Sequence, residues 1–341
     1  MSLNTGVWLL AAILLVSVAR PATAAQADPP LIEAEPQRTI GEFGSSVEFY
    51  RIGRGALHGD TLWLAEPSRL LALSDGRVVR TIGNEGDGPG EFRTVSTFGF
   101  VQDALWVSDD RARRLTLFGP ADEVAATHRY DNVPVPSGYK VDVLVPLGDG
   151  AIGILGSWDS SRLQKGPTPE PVLRFHGSEL DTLIMAESRP HDLGMSGGMM
   201  FIQPVSERHH VAWDSRSGRA AVVRQRQDSH GPGEFTITFF DASGAAVVEK
   251  SDTFQAERLQ ERAVREHLAS FAESPMITDE IVERIREAMF IPEFVPPVMR
   301  AKFDSLGRLW LAQQTSRRDG PIRWRVYGPD GRAEFDLLLP W

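Results

Sequence analysis

The chain has 341 residues, with 36 Lys and Arg against 46 Asp and Glu, a formal net charge of −10 and a sequence pI of about 5.4. That balance argues against a nucleic-acid partner, because neutralising phosphates requires a basic face. Cysteine is absent, which removes disulfides, thiolate metal sites, cysteine nucleophiles and a lipid-modified N-terminal cysteine. The 42% hydrophobic and 24% charged residues are ordinary globular usage and suffice for a sizeable core.

Residues 7–18 read VWLLAAILLVSV, an apolar run of 12 residues, too short for a hydrocarbon core that takes about 20 helical residues. Ala22-Thr23-Ala24 and Ala25-Gln26-Ala27 each satisfy an A-x-A cleavage rule, and Asp28-Pro29-Pro30 then stops any helix. This predicts a signal peptide over residues 1–24 and a periplasmic or secreted protein, with an uncleaved membrane anchor as the alternative. The n-region MSLNT departs from the usual pattern in carrying no Lys or Arg. Removing residues 1–24 takes Arg20 with it and leaves a net charge of −11. No other apolar run is long enough to span a membrane, so no stable span is expected after cleavage.

From residue 31 onward the chain repeats. DTLWLA (60–65), DALWVS (103–108) and GRLWLA (307–312) share a turn residue followed by Leu-Trp and an aliphatic residue, and Trp63 and Trp106 lie 43 residues apart, the length of one four-stranded propeller blade. Each copy is followed by a strand, a Gly or Asp turn and a second strand: LLALSDGRVVRTIG (70–83), LTLFGPADEVAATH (115–128) and WRVYGPDGRAEFDLLL (324–339). Weaker copies are VLRFHGSELDTLIM (172–185) and TITFFDASGAAVVE (236–249), which makes five hairpin units. GNEGDGPGEF (83–92) recurs in part as HGPGEF (230–235). So much Gly and Pro predicts a tight connection whose Phe returns to the core. A phosphate-cradling reading lacks the Gly-Lys-Ser/Thr and the helix that such a loop needs.

Leu-Trp-Val with a following Asp, then a hairpin and a Gly-rich run ending in GPGEF, resembles the six-bladed β-propellers related to NHL repeats, especially their exported bacterial members. The resemblance covers residues 36–130 and 300–339 well and the middle poorly, and it implies a fold and an exported location, not a reaction. QRTIG (37–41) matches VRTIG (79–83), as if the N-terminal segment were the outer strand of a blade whose inner strands come from the C-terminus. The chain nevertheless stops about 35 residues before a full sixth blade would end. The ring is then truncated, incomplete, or closed with five blades. The fold expected is all-β, a propeller of five or six four-stranded blades over residues 31–341.

A different pattern interrupts the propeller at residues 254–297, a predicted two-helix insertion between the fourth and fifth units. FQAERLQERAVREHLASFA (254–272) places Leu259, Ala263, Leu268 and Phe271 near helical spacing. A second helix is predicted after Thr278 as N-cap, with Ile281, Ile285 and Met289 on one face and Pro292, Pro296 and Pro297 ending it. Such stripes pack on the propeller itself or form a lid or docking surface for a protein or peptide partner.

Chemistry-bearing candidates are few. Asp109, Asp110 and Arg111 follow the second Leu-Trp strand, where the resembled repeats usually carry an Asp that braces a turn, yet strand ends also line a propeller's binding face. His209 and His210 are the only adjacent histidines, and neighbours in a strand point to opposite faces, so they cannot easily share a metal. HExxH, His-x-x-x-His and calcium-loop patterns are absent, as is Gly-x-Ser-x-Gly. These five residues are the candidate binding set; no metal ligand, cofactor or catalytic residue is assigned. Trp63, Trp106 and Trp310 sit among apolar neighbours and read as core. The expected function is an exported binding or interaction module whose ligand the sequence does not specify. The alternative is a metal-dependent, lactonase-like hydrolase or lyase with its site in the central channel. Lactonase-like members of the resembled group use Glu, Asp and Asn there, and the mature chain offers only Asn84 and Asn132.

Overall fold

All five hairpin units form the outer two strands of a four-stranded antiparallel sheet. A computed structural model describes residues 29–35, 49, 52–158, 169–187, 193–196, 199–226, 230–274, 277–317 and 320–339. The expected signal peptide and the QRTIG segment at 37–41 lie outside the described residues. After a short first strand, β1 (Leu31–Glu33), blade 1 comprises β2 (Arg54–His58), β3 (Thr61–Ala65), β4 (Leu70–Ser74) and β5 (Arg77–Ile82). Blade 2 comprises β6 (Thr97–Val101), β7 (Ala104–Asp109), β8 (Arg114–Phe118) and β9 (Val124–Arg129). In blade 3 the strands are β10 (Tyr139–Pro146), β11 (Ile152–Trp158), β12 (Pro169–His176) and β13 (Glu179–Glu187). A two-stranded ribbon, β14 (Leu193–Ser196) and β15 (Met199–Ile202), precedes blade 4, which is β16 (His210–Asp214), β17 (Arg219–Arg224), β18 (Glu234–Phe240) and β19 (Ala246–Thr253). Blade 5 is β20 (Val298–Phe303), β21 (Leu309–Gln313), β22 (Ile322–Tyr327) and β23 (Ala333–Leu339). The described residues therefore build a five-bladed propeller.

Burial explains the sequence pattern of each blade. The second and third strands are the covered ones, so LLALS, ALWVSD and RAAVVR are almost wholly buried. The fourth strands face solvent at the rim and alternate, as VAATHR and AVVEKSDT do. Four apolar clusters join consecutive blades. Trp63, Leu70 and Ala72 of blade 1 meet Phe98, Leu105 and Val107 of blade 2, and Trp106 and Leu115 meet Leu144 and Ile154 of blade 3. Val172 and Ile184 then meet Val222 and Phe240, while Val223 and Ile237 meet Leu309, Leu311 and Tyr327.

The Gly-Pro-Gly-Glu-Phe runs fold alike in two topologically different places, one between blades 1 and 2 and one between the second and third strands of blade 4. In each, Pro sits at the second turn position and a Gly with positive φ at the third (Gly90 at 77°, Gly233 at 80°), the type II pattern. Glu91 N donates to Gly88 O at 3.2 Å and Glu234 N to Gly231 O at 3.0 Å. Each Glu carboxylate also accepts from the amide of the first Gly, at 2.8 and 3.1 Å. Phe92 and Phe235 are both 0% exposed, plugging into the clusters between blades 1 and 2 and between blades 4 and 5.

Blade 5 takes all four of its strands from the C-terminal segment, and β1 adds a fifth, parallel to β23. Pro30 O and Leu338 O accept the flanking backbone bonds at 2.9 and 3.1 Å. An N-terminal strand thus reaches the last blade, as an addition to a finished sheet.

The insertion carries α1 (Glu261–Ala272) and α2 (Asp279–Glu287), the latter capped by Thr278, whose hydroxyl accepts from Ile281 N. The helix expected from Phe254 starts seven residues later. Phe254 instead enters the core between blades 4 and 5, its ring centroid 5.3 Å from that of Phe235. Residues 257–259 pair with 293–295 as an antiparallel neck, through Val295 N to Glu257 O at 2.8 Å and Leu259 N to Glu293 O at 3.1 Å. Among the described residues the helical stripes meet each other and β15: Ile285 and Met289 pack with Val264, Leu268, Phe271 and Phe201. Among the described residues no helix is long and apolar enough to cross a membrane.

Candidate binding face

Every blade joins its first two strands, and its last two, by loops of two to five residues on one side of the disc. Among the described residues the opposite side carries the longer connections, which include residues 83–96, 130–138, 199–209 and 254–274 between blades and 230–233 and 314–317 within them. This insertion face surrounds one mouth of the central channel, and loops of variable length on a fixed scaffold are where binding residues concentrate.

Second strands run toward this face, and a polar residue three positions after the Leu-Trp tryptophan recurs there as Glu66, Asp109 and Gln313. Asp109 and Gln313 are tied to backbone groups, and Glu66 to Arg69 of its own loop. Asp109, 0% exposed, accepts from Arg93 N at 2.7 Å, Thr94 N at 3.2 Å and Ala112 N at 2.9 Å. That is the brace the repeat pattern predicts, and it fastens the GPGEF connection to blade 2. Arg114 completes the fastening, its guanidinium donating to Asp87 O at 2.9 Å and to Glu91 O. Glu66, buried, receives the Arg69 Nε donor, and Gln313 donates to Gln255 O at 3.2 Å. Asp110 bonds with the Ser96 hydroxyl through both its carboxylate and its amide, and Arg111 is exposed beside it. Below them, burial pushes the Tyr130 phenol above its ordinary pKa, and its oxygen lies 2.6 Å from Ser108 Oγ.

His209 and His210 are both buried, at 4% and 8% exposure, and they belong to a different corner of the face from Asp109. His210 Nε2 lies 2.9 Å from Val298 O; a carbonyl only accepts, which assigns the proton to Nε2. Gln225 completes the node. It accepts from Val298 N at 2.6 Å and donates to Val298 O at 2.6 Å and to Arg208 O at 2.9 Å. The inner strands of blades 4 and 5 are thereby fastened at their insertion-face ends. Gln225 escaped the sequence reading because blade 4 carries no Leu-Trp strand to mark its position. Among the described residues no three His, Asp or Glu side chains come together in a group able to hold a metal ion.

The helical layer is joined to this face by Gln203 Oε1, which accepts from Phe290 N at 2.9 Å, and by Glu257, whose carboxylate accepts from Ser316 N at 3.0 Å and from Thr315 Oγ1 at 3.3 Å. The outward sides of α1 and α2 mix both charges, as in the Arg262 to Glu266 and Arg286 to Glu283 pairs.

No family model matches the chain, and no curated protein matches it. Among solved structures it is similar to a Bacteroides fragilis protein described as exported, at 13% identity and a TM-score of 0.44, covering 91% of this chain and 74% of that one. Regucalcin of Agrobacterium tumefaciens, a calcium-binding protein, matches at 12% identity and a TM-score of 0.36, over 84% of this chain and 73% of its own. A luciferin-regenerating enzyme matches at 11% identity and a TM-score of 0.38, over 85% and 76%. At these levels the propeller assignment stands on the strand register above.

Proposed function

We propose that this chain is an exported propeller scaffold that binds a protein or peptide partner through the layer its helical insertion builds over one disc face. The observation that carries the reading is the division of labour on that face. Asp109, Gln225 and His210 are engaged by backbone groups of the scaffold, whereas the two longest inter-blade connections build a separate layer with its own apolar centre. Asp110 and Arg111, exposed at the end of the second strand of blade 2, are the candidates for direct ligand contact; Asp109 holds the face beneath them, and His210, with His209 buried beside it, holds the corner between blades 4 and 5. Export to the periplasm or medium is supported by the apolar run and A-x-A sites of residues 7–27, and kinship with NHL-type propellers by the Leu-Trp and GPGEF repeats.

The test replaces residues 261–289 by a short Gly-Ser linker, which the antiparallel neck at 257–259 and 293–295 leaves room for. Proteins captured from the exported fraction of the source cells by the full mature chain should be lost with the replaced chain, while the propeller still melts cooperatively. Turnover of lactones or esters that depends on added Ca²⁺, Mg²⁺, Mn²⁺ or Zn²⁺, undiminished by the replacement, would overturn the reading in favour of a channel enzyme.

A further inference from the structure

The seams between consecutive blades are not filled alike on the short-loop side of the disc. Between blades 1 and 2, His58 ends the innermost strand and its imidazole stacks on Phe100, with ring centroids 4.0 Å apart and planes 12° from parallel. Trp63 meets the same Phe edge-on at 5.5 Å. Between blades 3 and 4, the Trp213 indole lies against Gly153, whose missing side chain makes room for it. Blade 2 ends its innermost strand with Val101, paired to Ala104 as His58 is to Thr61. The seam toward blade 3 therefore has an aliphatic residue where the seam before it has a ring.

A cleft of about 180 Å³ results. Its apolar walls are Val101, Ala104 and Leu117 of blade 2 and Pro146, Leu147 and Ile152 of blade 3. A cavity of about 150 Å³ lined by apolar side chains holds one benzene ring, so the cleft has the size of the ring that this seam lacks. The blade 3 hairpin beside it cannot fold down to close the gap. Leu147 N donates to Ala151 O at 2.8 Å and Asp149 Oδ1 accepts from Ala151 N at 3.0 Å, while Gly148 lies so close to Arg216 O of blade 4 that a Cβ would not fit.

Two polar side chains also line the cleft, His128 from the rim strand and Gln102 from the first hairpin of blade 2. Neither makes a hydrogen bond or ion pair among the described residues. Burial lowers the His128 pKa, which keeps the imidazole neutral near pH 7, with one nitrogen a donor and the other an acceptor. Gln102 stands at a φ of 53°, in the left-handed position that Gly59 fills at 57° in blade 1. Glycine would serve the turn better, so the amide is kept at the cleft against a backbone preference that the hairpin itself does not explain.

We propose that the cleft between blades 2 and 3 binds a small neutral molecule of the phenol class, its single aromatic ring between Val101, Leu117 and Leu147 and its hydroxyl bonded by His128 and Gln102. The site lies on the side of the disc opposite the helical layer and does not depend on the partner reading above.

The experiment titrates the full mature chain, carrying ¹³C-labelled histidine rings, with phenol and, in a second arm, with benzene, which fills the ring space without a hydroxyl. Saturable phenol binding is expected, with a dissociation constant on the order of 1 mM. It should shift one histidine resonance, identified as that of His128 by its loss in His128→Asn. Benzene should bind about tenfold more weakly, the worth of the hydroxyl's hydrogen bonds, and His128→Asn should weaken phenol while leaving benzene unchanged. Val101→Phe places a ring of the protein's own in the cleft, so it should abolish binding of both and melt no lower than the parent. Val247→Phe, on the exposed rim strand of blade 4, should alter neither affinity. If Val101→Phe does not fold, Ala104→Leu fills the cleft from the paired strand and decides in its place. Absence of saturable phenol binding in the parent would overturn the proposal, as would phenol binding that survives filling of the cleft or equal affinities for phenol and benzene.

Discussion

Gly90→Ala and Gly233→Ala apply one change to one local sequence in two surroundings. Both glycines occupy the third position of a Gly-Pro-Gly-Glu turn, at φ of 77° and 80°, so both variants incur the left-handed penalty of an L-residue, about 1–2 kcal/mol. At Gly90 that is the whole cost. A Cβ there meets Val124 Cγ2 at 3.6 Å and Phe118 Cε1 at 3.8 Å, which is ordinary contact. At Gly233 a Cβ falls 2.3 Å from Phe254 O and 3.2 Å from Ala256 N, both backbone atoms that move only with the neck of the insertion. Overpacking of this kind adds about 1–3 kcal/mol, so Gly233→Ala should cost about 2–5 kcal/mol in all. Equilibrium urea unfolding of the two variants beside the parent measures the difference. Limited proteolysis should in addition cut Gly233→Ala faster near residues 255–260, because the displaced carbonyl belongs to Phe254, which anchors the insertion against Phe235. Equal losses of stability within about 0.5 kcal/mol would refute the tertiary half of the reasoning. No loss in either would refute the backbone half.

Arg325 is 4% exposed and Asp336 0%; the guanidinium donates to both Asp336 oxygens at 2.8 and 3.0 Å, to Asp252 at 3.0 Å and to Thr253 O at 2.9 Å. Arg325→Met should lose about 1–3 kcal/mol in urea unfolding, because it removes the donors to Asp252, Thr253 O and Asp336 Oδ1 while Arg323 still pairs Asp336 Oδ2. Burial, reinforced by the Asp252 charge, raises the Tyr327 phenol well above its ordinary value. The unfolded phenol then ionises first, so stability should fall as pH climbs through about 10 and beyond, and Tyr327→Phe should flatten that limb of a melting-temperature profile. Burial alone would raise Asp304, but bonds from Arg308, Trp310 and Leu306 outweigh it and hold the carboxyl below its ordinary value. Its stabilisation is present above the unfolded pKa of about 3.9 and lost as pH falls through the lower folded value, so parent and Asp304→Asn melting curves should converge in acid and separate near neutrality.

The propeller fold was legible, with five or six blades left open, because a blade writes itself locally. Leu-Trp strands, Asp-Gly hairpins and alternating rim strands each occupy a few consecutive residues, and Asp75 and Gly76 take the two positive φ values, 49° and 73°, that an Asp-Gly hairpin requires. Thr278 was legible as a cap for the same reason. The parallel docking of β1 was not: three residues, all exposed, have no periodicity, and their pairing is decided by an open backbone edge more than 300 residues away. The start of α1 was misplaced because Leu259 fits the helical stripe in sequence, whereas Phe254 is worth more in the core between blades 4 and 5. The node of His210, Gln225 and Val298 spans 73 to 88 residues and leaves no local mark at all.

The polar residues that repeat at the insertion face owe their position to strand geometry. Where a second strand ends, its ladder ends with it, and the backbone groups of the incoming connection arrive in a buried place without strand partners. A short acid or amide at that point supplies them: Asp109 takes three amides, and Gln225 takes both backbone groups of Val298. A residue type that reads as chemistry in the sequence is therefore required by the architecture, and its recurrence from blade to blade follows the fold, not a ligand. Residues that the architecture does not need are the better guide to function. By that measure Asp109 and His210, engaged by backbone groups, rank low, and the exposed Asp110 and Arg111 rank above them.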